Sequence, residues 1–304
     1  MKMKVLVIGC GSIGKRHAGI LGSMDIVNSV TVLSNQTGLP FETITSLKDI
    51  PGLNPDYVVI ASSTALHHEQ LAFLEESLRG KTILVEKPLF ETLYDLKIRN
   101  NRVFMGYNLR FHPLLQKTKE TIYGRRLWNL QAFCGSYLPD WRPERDYRIT
   151  YSAKKDAGGG VLLDLSHEID YVQWLAGLIE VQHVASEKVS NLEIETDDLL
   201  LLSGKSRNGV RVHVSLNYFT RMPMRQVLID GEGVSIHADL VENTLSVVEG
   251  GEASKYSWPD LERNDTFRAE HRAALENDHT SLCTYEEGLA TMRLVENIRS
   301  FKNL

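Results

Sequence analysis

The first third of the chain alternates short apolar runs with amphipathic stretches, and this alternation restricts the fold more than any other feature. Val5–Ile8 predicts a strand, Ile13–Leu21 a helix, and Thr82–Val85 a further strand. Strands that alternate with helices in this way are typical of a parallel sheet covered by helices and joined by right-handed crossovers. We therefore expect an α/β fold that begins with a parallel sheet.

Three glycines follow the first predicted strand and open the first predicted helix. Gly9, Gly11 and Gly14 have the spacing G-x-G-x-x-G. In such a turn the first glycine allows a sharp bend, the second allows a pyrophosphate to approach, and the third lets helix and strand pack closely. The N–H groups at the helix start, including those of Ser12 and Ile13, favour phosphate oxygens. The motif predicts a bound dinucleotide, with a purely structural turn as the alternative.

The residues after the second predicted strand bear on which dinucleotide binds. About 20 residues after Gly14, where an NAD site usually offers Asp or Glu to the ribose 2′-hydroxyl, the chain has Ser34, Asn35 and Gln36. An acidic group there would repel a 2′-phosphate, whereas hydroxyl and amide groups tolerate one. The sequence predicts NADP or NAD with a slight preference for NADP, and Ser34 and Asn35 as cofactor contacts.

The pattern changes from about Leu127, where one predicted helix is followed by a long β-rich run. Two of the predicted strands flank Asn208-Gly209, which is typical of a hairpin turn. Consecutive strands without intervening helices predict largely antiparallel pairing. We therefore expect a dinucleotide-binding domain over residues 1–121 and a second domain over residues 122–304.

Glu86 and Lys87 follow the predicted strand Thr82–Val85 directly. They lie at the carboxyl end of a parallel strand, which is the edge where open α/β sheets bind their ligands. Pro88 stiffens the backbone after Lys87. A lysine held there can polarise a substrate oxygen, and the alternative is a solvated charge at the end of a strand.

The glycine-led segment Gly158–Tyr171 is a second candidate for chemistry. Asp164, His167 and Asp170 recur every three residues, which would place them on one face of a helix. A histidine flanked by carboxylates suits a general acid or base near neutral pH. The alternative is a polar stripe on an amphipathic helix. The three preceding glycines favour the chemical interpretation because they let the backbone approach a ligand closely.

Composition argues against several classes of protein. The net charge of −5 and the lack of a long basic run argue against a nucleic-acid partner. Cys10, Cys134 and Cys283 form no C-x-x-C, so neither a disulfide framework nor a metal site is indicated. No run approaches the roughly 18 to 20 apolar residues needed to cross a bilayer. We expect a cytoplasmic protein with a small-molecule partner and no membrane contact.

Five segments in combination resemble the Gfo/Idh/MocA oxidoreductases, a family named for glucose–fructose oxidoreductase and inositol dehydrogenase. They are GCGSIG, STALHHEQ, GKTILVEKP, GYNLRFHP and GGGVLLDLSHEID, in the family's order over nearly the whole chain. The resemblance implies an N-terminal Rossmann domain carrying NAD(P). It also implies a C-terminal α/β domain whose large open, mostly antiparallel sheet mediates homodimers or homotetramers.

The resemblance also implies roles for individual residues. Lys87, Asp164 and His167 would act in catalysis. The residues implied next to the cofactor, beyond the glycine turn, Ser34 and Asn35, are Ser62, Thr64, His67, Glu86 and Lys87 itself; for His67 a structural role is the alternative. The further candidates for the substrate pocket are Asn108, Arg110 and Tyr218, the last because it lies at a strand end.

The chain departs from the family pattern at three places. Asp164 and His167 are three residues apart, whereas relatives commonly space them four apart, so His167 with Asp170 is the firmer match. Between Pro88 and Gly106 there is room for a helix of only about two turns, which predicts a shortened crossover. The third departure is the missing acidic residue after the second strand.

The loop Ser136–Arg148 bears on the substrate. Trp141 would pack on a sugar ring, while Arg142 and Arg145 would bind a carboxylate or phosphate. This favours an anionic or nucleotide-linked sugar, as in surface-polysaccharide biosynthesis. The alternative is a loop whose arginines pair with neighbouring acidic residues.

Taken together, these residues predict an NAD(P)-dependent sugar dehydrogenase or reductase. His167 would accept the hydroxyl proton and Lys87 would stabilise the developing alkoxide as hydride leaves the same carbon. The alternative is a sensor or regulatory protein that binds cofactor and ligand without turnover. The presence of both Lys87 and His167 favours the enzyme.

Overall fold

The computed structural model describes residues 2–155 and 158–301, which fold as two compact units. The units divide between residues 111 and 112, and a late segment of the chain returns to the first unit, which the sequence did not predict. Within the described residues, unit 1 comprises 2–111 and 262–292, and unit 2 comprises 112–261 and 293–301.

Fifteen strands and eight α-helices are numbered along the described residues. The strands are β1 (Met3–Ile8), β2 (Val27–Leu33), β3 (Glu42–Ile44), β4 (Tyr57–Ile60), β5 (Thr82–Val85), β6 (Arg102–Met105), β7 (Leu127–Gly135), β8 (Ile179–Glu187), β9 (Leu199–Ser206), β10 (Arg211–Asn217), β11 (Met224–Gly231), β12 (Val234–Asp239), β13 (Thr244–Glu249), β14 (Glu252–Ser257) and β15 (Cys283–Thr284). The helices are α1 (Ser12–Gly22), α2 (Ile50–Leu53), α3 (His67–Ser77), α4 (Pro113–Ile122), α5 (Val161–Asp164), α6 (Ser166–Ala176), α7 (Arg263–Glu276) and α8 (Tyr285–Ser300). None of these helices is both long enough and apolar enough to span a membrane.

Sheet A of unit 1 has seven strands in the order β15-β6-β5-β4-β1-β2-β3. All its pairs are parallel except β15 with β6, which confirms the predicted parallel sheet. The chain runs outward from β1 to β3 on one side and from β4 to β6 on the other. The strand order therefore reverses between β1 and β4, which is where doubly wound sheets open a crevice for a ligand.

The two faces of sheet A are both covered by helices. Val5 and Val7 belong to the apolar cluster that includes residues of α1 and α7, and Leu6 and Ile8 to the cluster that includes residues of α3 and α8. All four strand residues are at most 1% exposed. Burying an aliphatic side chain of this size contributes about 1.5–3 kcal/mol. β1 is thus fixed from both sides, and the turn that follows it is held in place.

Sheet B of unit 2 has eight strands in the order β14-β13-β12-β11-β7-β10-β9-β8. Only β7 and β10 pair in parallel, so the prediction of largely antiparallel pairing is confirmed. The predicted hairpin joins β9 to β10, with Gly209 at a φ of +87°. All six residues of the edge strand β14 are exposed, and they lack the apolar alternation that would have predicted a strand.

The predicted short helix between Pro88 and Gly106 is wrong, because residues 89–101 contain no helix. Instead, the buried carboxylate of Glu75 on α3 accepts the backbone N–H groups of Arg99 and Asn100 and the side-chain amide of Asn101. These hydrogen bonds hold residues 99–101 against α3, and the connection between β5 and β6 is therefore irregular rather than helical. Backbone groups satisfied by a side chain need no helix of their own.

Candidate functional site

The glycine turn between β1 and α1 is shaped by three different constraints. Gly9 has a φ of +94°, and a Cβ there would lie 2.7 Å from the carbonyl oxygen of Ala61. A Cβ on Gly14 would overlap the carbonyl oxygen of Gly9. Around Gly11 the situation is the opposite, since no heavy atom of the described residues lies within 4 Å of the position a Cβ would take. Gly9 and Gly14 thus allow neighbouring backbone segments to pack closely, whereas Gly11 leaves open space beside the turn.

The start of α1 is suited to an anion. Gly11 is the N-cap and offers no side chain to the helix, so the N–H groups of the first turn, which begins with Ser12 and Ile13, lack intrahelical acceptors. The first turn also has no acidic residue. The positive end of the helix and the open space at Gly11 together fit the pyrophosphate of a dinucleotide.

The turn after β2 is tied directly to this glycine turn. The hydroxyl of Ser34, which is 8% exposed, accepts the backbone N–H of Gln36 at 3.1 Å. The side-chain amide of Gln36 then donates to the carbonyl of Cys10 at 3.1 Å. Asn35, between them, is exposed. Sequence reasoning did not assign this bridging role to Gln36, because the contact partner lies 26 residues away.

The segment after β4 is organised by the buried imidazole of His67. Its Nδ1 lies 3.1 Å from the carbonyl oxygen of Pro88, and its Nε2 lies 3.3 Å from that of Ser62. Burial lowers the pKa of His67, which keeps the ring neutral. The Ser62 hydroxyl donates to Gln70 at 2.7 Å, and Thr64 is half-buried at the start of a 3₁₀ turn. The structure gives His67 a linking role, and cofactor contact by these residues stays a prediction.

Glu86 and Lys87 lie at the tip of β5, on the same carboxyl edge of sheet A as the glycine turn. The peptide between Lys87 and Pro88 is cis. Glu86 is 8% exposed, and its Oε1 lies 2.7 Å from Nε2 of His17, while its Oε2 accepts the backbone N–H of Lys87 at 3.1 Å. Parallel strand ends meet at one edge, so Lys87 and the glycine turn share one side of unit 1.

Asn108 and Arg110 are both occupied by contacts within unit 1. The amide of Asn108 donates to the Thr266 hydroxyl at 2.7 Å, which ties it to α7. The Arg110 guanidinium is 2% exposed and pairs with Glu287 of α8 at 3.0 Å. Their predicted contact with a substrate stays a prediction; the contacts observed hold the C-terminal helices on unit 1.

In unit 2, the glycine-led segment is two helices rather than one, so the prediction of one continuous helix is wrong: Asp164 ends the first helix, while His167 and Asp170 remain three residues apart on the second. α5 ends at Asp164 and α6 begins at Ser166, with Leu165 between them at φ −99° and ψ 29°. The break lies between two hydrogen-bonded carboxylates. Asp164 accepts a hydrogen bond from Tyr218, which follows β10, and Glu168 accepts one from Arg225 of β11.

The Asp164 carboxylate is held by two phenols. The hydroxyl of Tyr218 donates to its Oδ2 at 2.6 Å, and Tyr151 is a second hydrogen-bond partner. Burial, followed by the charge of Asp164, raises the pKa of Tyr218, and the pKa of the half-exposed Tyr151 is raised as well. Both phenols therefore keep their protons and act as donors. Tyr151 was missed by sequence reasoning, because nothing in its local pattern marks it as a partner of Asp164.

His167 occupies an unusual position on α6. Within residues 161–170 it is the one residue that is not buried. Its neighbour Glu168 is fully buried and is bound by the Arg225 guanidinium at 2.7 and 3.3 Å and by the Tyr171 hydroxyl at 3.3 Å. Glu168 thus fastens the start of α6 to sheet B and leaves His167 as the partly accessible imidazole.

The loop 136–148 places Trp141, which was predicted to bind a sugar, against Tyr218, the hydrogen-bond partner of Asp164. The Trp141 ring meets Tyr218 edge-on at 5.3 Å between centroids, and its Nε1 donates to Ser136 at 2.8 Å. Arg145 is exposed and does not line the recess beside Trp141. Arg148 pairs with Asp146 and Glu193, as the alternative interpretation of this loop expected. The residues that line the recess are Leu138, Trp141, Arg142, Tyr147, Thr150 and Ser152.

The proteins to which the chain is similar include curated sequence relatives and solved structures. A levoglucosan dehydrogenase from Pseudarthrobacter phenanthrenivorans is 31% identical over 134 residues, which is 41% of this chain and only about a third, 34%, of that protein. The UDP-N-acetylglucosamine 3-dehydrogenase GnnA from Acidithiobacillus ferrooxidans has a TM-score of 0.77 at 20% identity, over 98% of this chain and 97% of that one. The WlbA dehydrogenase from Bordetella pertussis, solved with NADH and UDP-GlcNAcA, has a TM-score of 0.73 at 18% identity, over 99% and 97%. At these identities the two structures establish the fold.

Two family models match the sequence, one in each half. The model described as an oxidoreductase family with an NAD-binding Rossmann fold matches residues 3–98, and the GFO/IDH/MocA C-terminal domain matches residues 115–237. The first coincides with most of sheet A and the second with α4 and most of sheet B. The predicted fold class is confirmed, and the chain belongs to the Gfo/Idh/MocA family of oxidoreductases.

Proposed function

We propose that the chain transfers hydride between NAD(P) and a hydroxyl-bearing carbon of a sugar. The observation that carries this proposal is the carboxyl edge of sheet A, where the open space at Gly11 follows β1 and the amine of Lys87 follows β5, with only β4 between these two strands. When bound, NAD(P) supplies or accepts the hydride. The sugar dehydrogenases among the similar proteins support the same class of substrate.

In the proposed reaction, the residues of this chain manage the proton and the charge. Lys87 donates a hydrogen bond to the reacting oxygen and stabilises its negative charge. His167 accepts the hydroxyl proton in the direction of oxidation and returns it in reduction. Asp164 acts by holding the phenols of Tyr151 and Tyr218, because its carboxylate is already their acceptor. Removal of either Lys87 or His167 should therefore reduce turnover and leave cofactor affinity nearly unchanged.

For the substrate, we propose an anionic or nucleotide-linked sugar. Support comes from the types of side chain that border this small recess, since an indole such as that of Trp141 packs on sugar rings and a guanidinium such as that of Arg142 binds phosphate or carboxylate. GnnA is a UDP-sugar dehydrogenase and WlbA was solved with a UDP-sugar acid. Arg142→Gln should raise KM for a charged sugar about tenfold or more. The control is Arg211→Gln, an exposed arginine of β10 in the same unit.

For the cofactor, we propose that NADP is accepted at least as well as NAD. Residues 34–36 contain no carboxylate to repel a 2′-phosphate, and Asn35 is exposed beside the turn that Gln36 ties to Cys10. Asn35→Asp should shift the preference toward NADH by about tenfold, or about 1.4 kcal/mol. Asn28→Asp, which adds the same charge at the exposed start of β2, is the control.

Fluorescence titration with NADH and NADPH, followed by turnover of a substrate panel, tests these proposals. The panel pairs UDP-N-acetylglucosamine and its uronic acid with neutral N-acetylglucosamine, and includes levoglucosan. Preferred turnover of the charged sugars supports the proposed substrate, and equal turnover of charged and neutral forms contradicts it. Tight cofactor binding without turnover of any sugar would favour the alternative of a binding-only sensor. Loss of turnover in His167→Gln, with unchanged NADPH affinity, supports its proposed role.

A further inference from the structure

Four polar side chains form an unbroken row of hydrogen bonds through the core of unit 1. The Tyr57 hydroxyl lies 2.9 Å from Nδ1 of His271, and Nε2 of His271 lies 2.8 Å from Nδ1 of His17. Nε2 of His17 lies 2.7 Å from Oε1 of Glu86. The exposed fraction is 1% for Tyr57, 0% for both histidines and 8% for Glu86. Polar groups buried to this degree are stable only when paired, so each member depends on its neighbours.

The direction of these hydrogen bonds is constrained by the His271 imidazole. Burial, followed by the charge of His17, lowers the pKa of His271 well below its usual value, so the ring is neutral and has a single N–H. With that proton on Nε2, His271 donates to His17 and accepts from Tyr57. His17 then accepts at Nδ1 and donates its own Nε2–H to Glu86. With the proton of His271 on Nδ1, the bond between the two rings would run the other way, from Nδ1–H of His17 to Nε2 of His271.

The far end of the row is enclosed. Tyr57 belongs to β4, the central strand of sheet A, and burial, with the charges of Glu270 and Glu86 as lesser causes, raises the pKa of its hydroxyl. Tyr57 is itself only 1% exposed. A row that ends in a protonated phenol inside the core has no outlet for a proton there. Its effect is therefore on geometry.

The near end of the row is the Glu86 carboxylate, which is restrained on three sides. Its Oε1 receives the His17 donor, and its Oε2 receives the backbone N–H of Lys87 at 3.1 Å. On the third side is Gly106, where a Cβ would lie 3.2 Å from the Glu86 carboxyl carbon, so this glycine leaves just enough room for the carboxylate. The two hydrogen bonds and the close backbone of Gly106 restrain the carboxylate beside the Lys87 backbone.

We propose that His17, His271 and Tyr57 are positioning residues. They hold the Glu86 carboxylate in one orientation, and Glu86 in turn fixes the backbone from which the Lys87 side chain projects. The proposal extends the role of Lys87 and rests on the proposed function for its catalytic part. It also links His271 of α7, which follows His17 by 254 residues in the chain, to the chemistry at the tip of β5.

The kinetic test is a double-mutant cycle between His17 and Lys87. His17→Phe keeps a flat ring but removes both nitrogens, and it should lower kcat roughly 10- to 100-fold, with the NADPH dissociation constant within about twofold. In a Lys87→Met background the same substitution should cause no further loss, because the residue to be positioned is gone. His17→Gln, which offers an amide donor to Glu86, should restore part of the activity.

A second measurement needs no substrate. Acetic anhydride is added to the purified protein, and acetylation of Lys87 and of the exposed Lys97 is followed by mass spectrometry. The ratio of the two rates should change at least threefold in His17→Phe and His271→Phe. His112→Gln serves as the control, since His112 is also buried and hydrogen-bonded but lies in unit 2. If the histidine variants do not fold, the acetylation ratio is measured in Tyr57→Phe instead, which removes only the hydroxyl at the end of the row.

The outcomes are distinguishable. An unchanged acetylation ratio would overturn the positioning role and leave the row as a packing feature. The same conclusion would follow if His17→Phe lowered kcat equally in the presence of Lys87 and in the Lys87→Met background. If no sugar is turned over by the unaltered protein, the proposed function fails, whereas a changed acetylation ratio still supports the positioning of Lys87.

Discussion

The glycine-led segments of the two units use the same residue type for opposite reasons. In unit 1, the position that a Cβ would take at Gly11 is empty. In unit 2, the corresponding position at Gly160 is filled, because a Cβ there would overlap the Asp197 carboxylate. We propose that the first glycine leaves room for a ligand, whereas the second leaves room for a neighbouring side chain. A glycine before a helix therefore indicates close approach, and only the structure tells what approaches.

The two segments also differ in what they offer to a ligand. The turn at the start of α1 offers backbone N–H groups and a helix dipole, whereas α5 and α6 present side chains: the Asp164 carboxylate with its two phenols, and the His167 imidazole. A site made of backbone depends on local spacing, and a site made of side chains depends on distant partners. Substitutions should separate these two kinds of dependence.

The largest expected effect concerns the side chain at the tip of β5. Lys87→Met should lower kcat by about 10²–10⁴-fold, because the charge that stabilises the alkoxide is lost. NADPH affinity, measured by fluorescence titration, should stay within about twofold. Lys97→Met, in the exposed part of the crossover, provides the matched control. If Lys87→Met lost NADPH affinity to the same degree as kcat, Lys87 would act by binding the cofactor and not by stabilising the alkoxide.

The glycine turn of unit 1 gives the next prediction. Gly11→Ala places a methyl group in the open space at an ordinary φ of −71°, so the fold should be retained while NADH affinity falls about tenfold or more. Gly14→Ala should instead lower the free energy of unfolding by about 1–3 kcal/mol, since its Cβ meets the Gly9 carbonyl. Urea unfolding and NADH titration of both variants check this. Normal NADH binding by Gly11→Ala would remove the argument that the space is reserved for the cofactor.

In unit 2 the same type of substitution should act on stability alone. Gly160 has a φ of +114°, so Gly160→Ala combines backbone strain with the Asp197 overlap and should cost about 1–3 kcal/mol. NADH affinity should be unchanged. Gly124→Ala has a positive φ of +73° but open surroundings, and it isolates the strain from the overlap. If the two variants lose equal stability in urea, the Asp197 contact is not the reason for Gly160.

The smallest expected effect tests the phenols of unit 2 at high pH. The folded protein raises the pKa of Tyr218 above its unfolded value of about 10. Its stabilising contribution is complete below that pH and is lost as pH rises, because the unfolded state releases the proton first. Tyr218→Phe should reduce the fall in unfolding free energy above pH 10 by about 1.4 kcal/mol per pH unit. Tyr123→Phe, 88% exposed, should leave the slope unchanged; an unchanged slope in Tyr218→Phe would contradict the prediction.

The features that sequence predicted correctly depend on neighbours along the chain. β5 matches its predicted bounds, Thr82–Val85, because four consecutive buried residues need no distant partner to be recognised. The glycine turn and α1 were recognised for the same reason. The parallel order of sheet A followed from the alternation of strands and helices.

The features that sequence missed depend on contacts between distant residues. The break at Leu165 accompanies bonds from Asp164 to Tyr218 and from Glu168 to Arg225, which are 54 and 57 residues apart in the chain. The row through His17 and His271 joins residues 254 positions apart. No periodicity within a window of a dozen residues contains such information.

The chain path of unit 1 has a consequence for how the protein is made. Unit 1 includes α7 and β15, so residues 112–261 are inserted within it, and its first strands emerge from the ribosome long before the helix that covers them. A fragment ending at residue 121 would expose the apolar surface around Val5 and Val7 that Phe267 and Leu275 help to cover. During synthesis that apolar surface remains exposed to solvent until α7 has been translated. Throughout this period it is a suitable binding site for a chaperone.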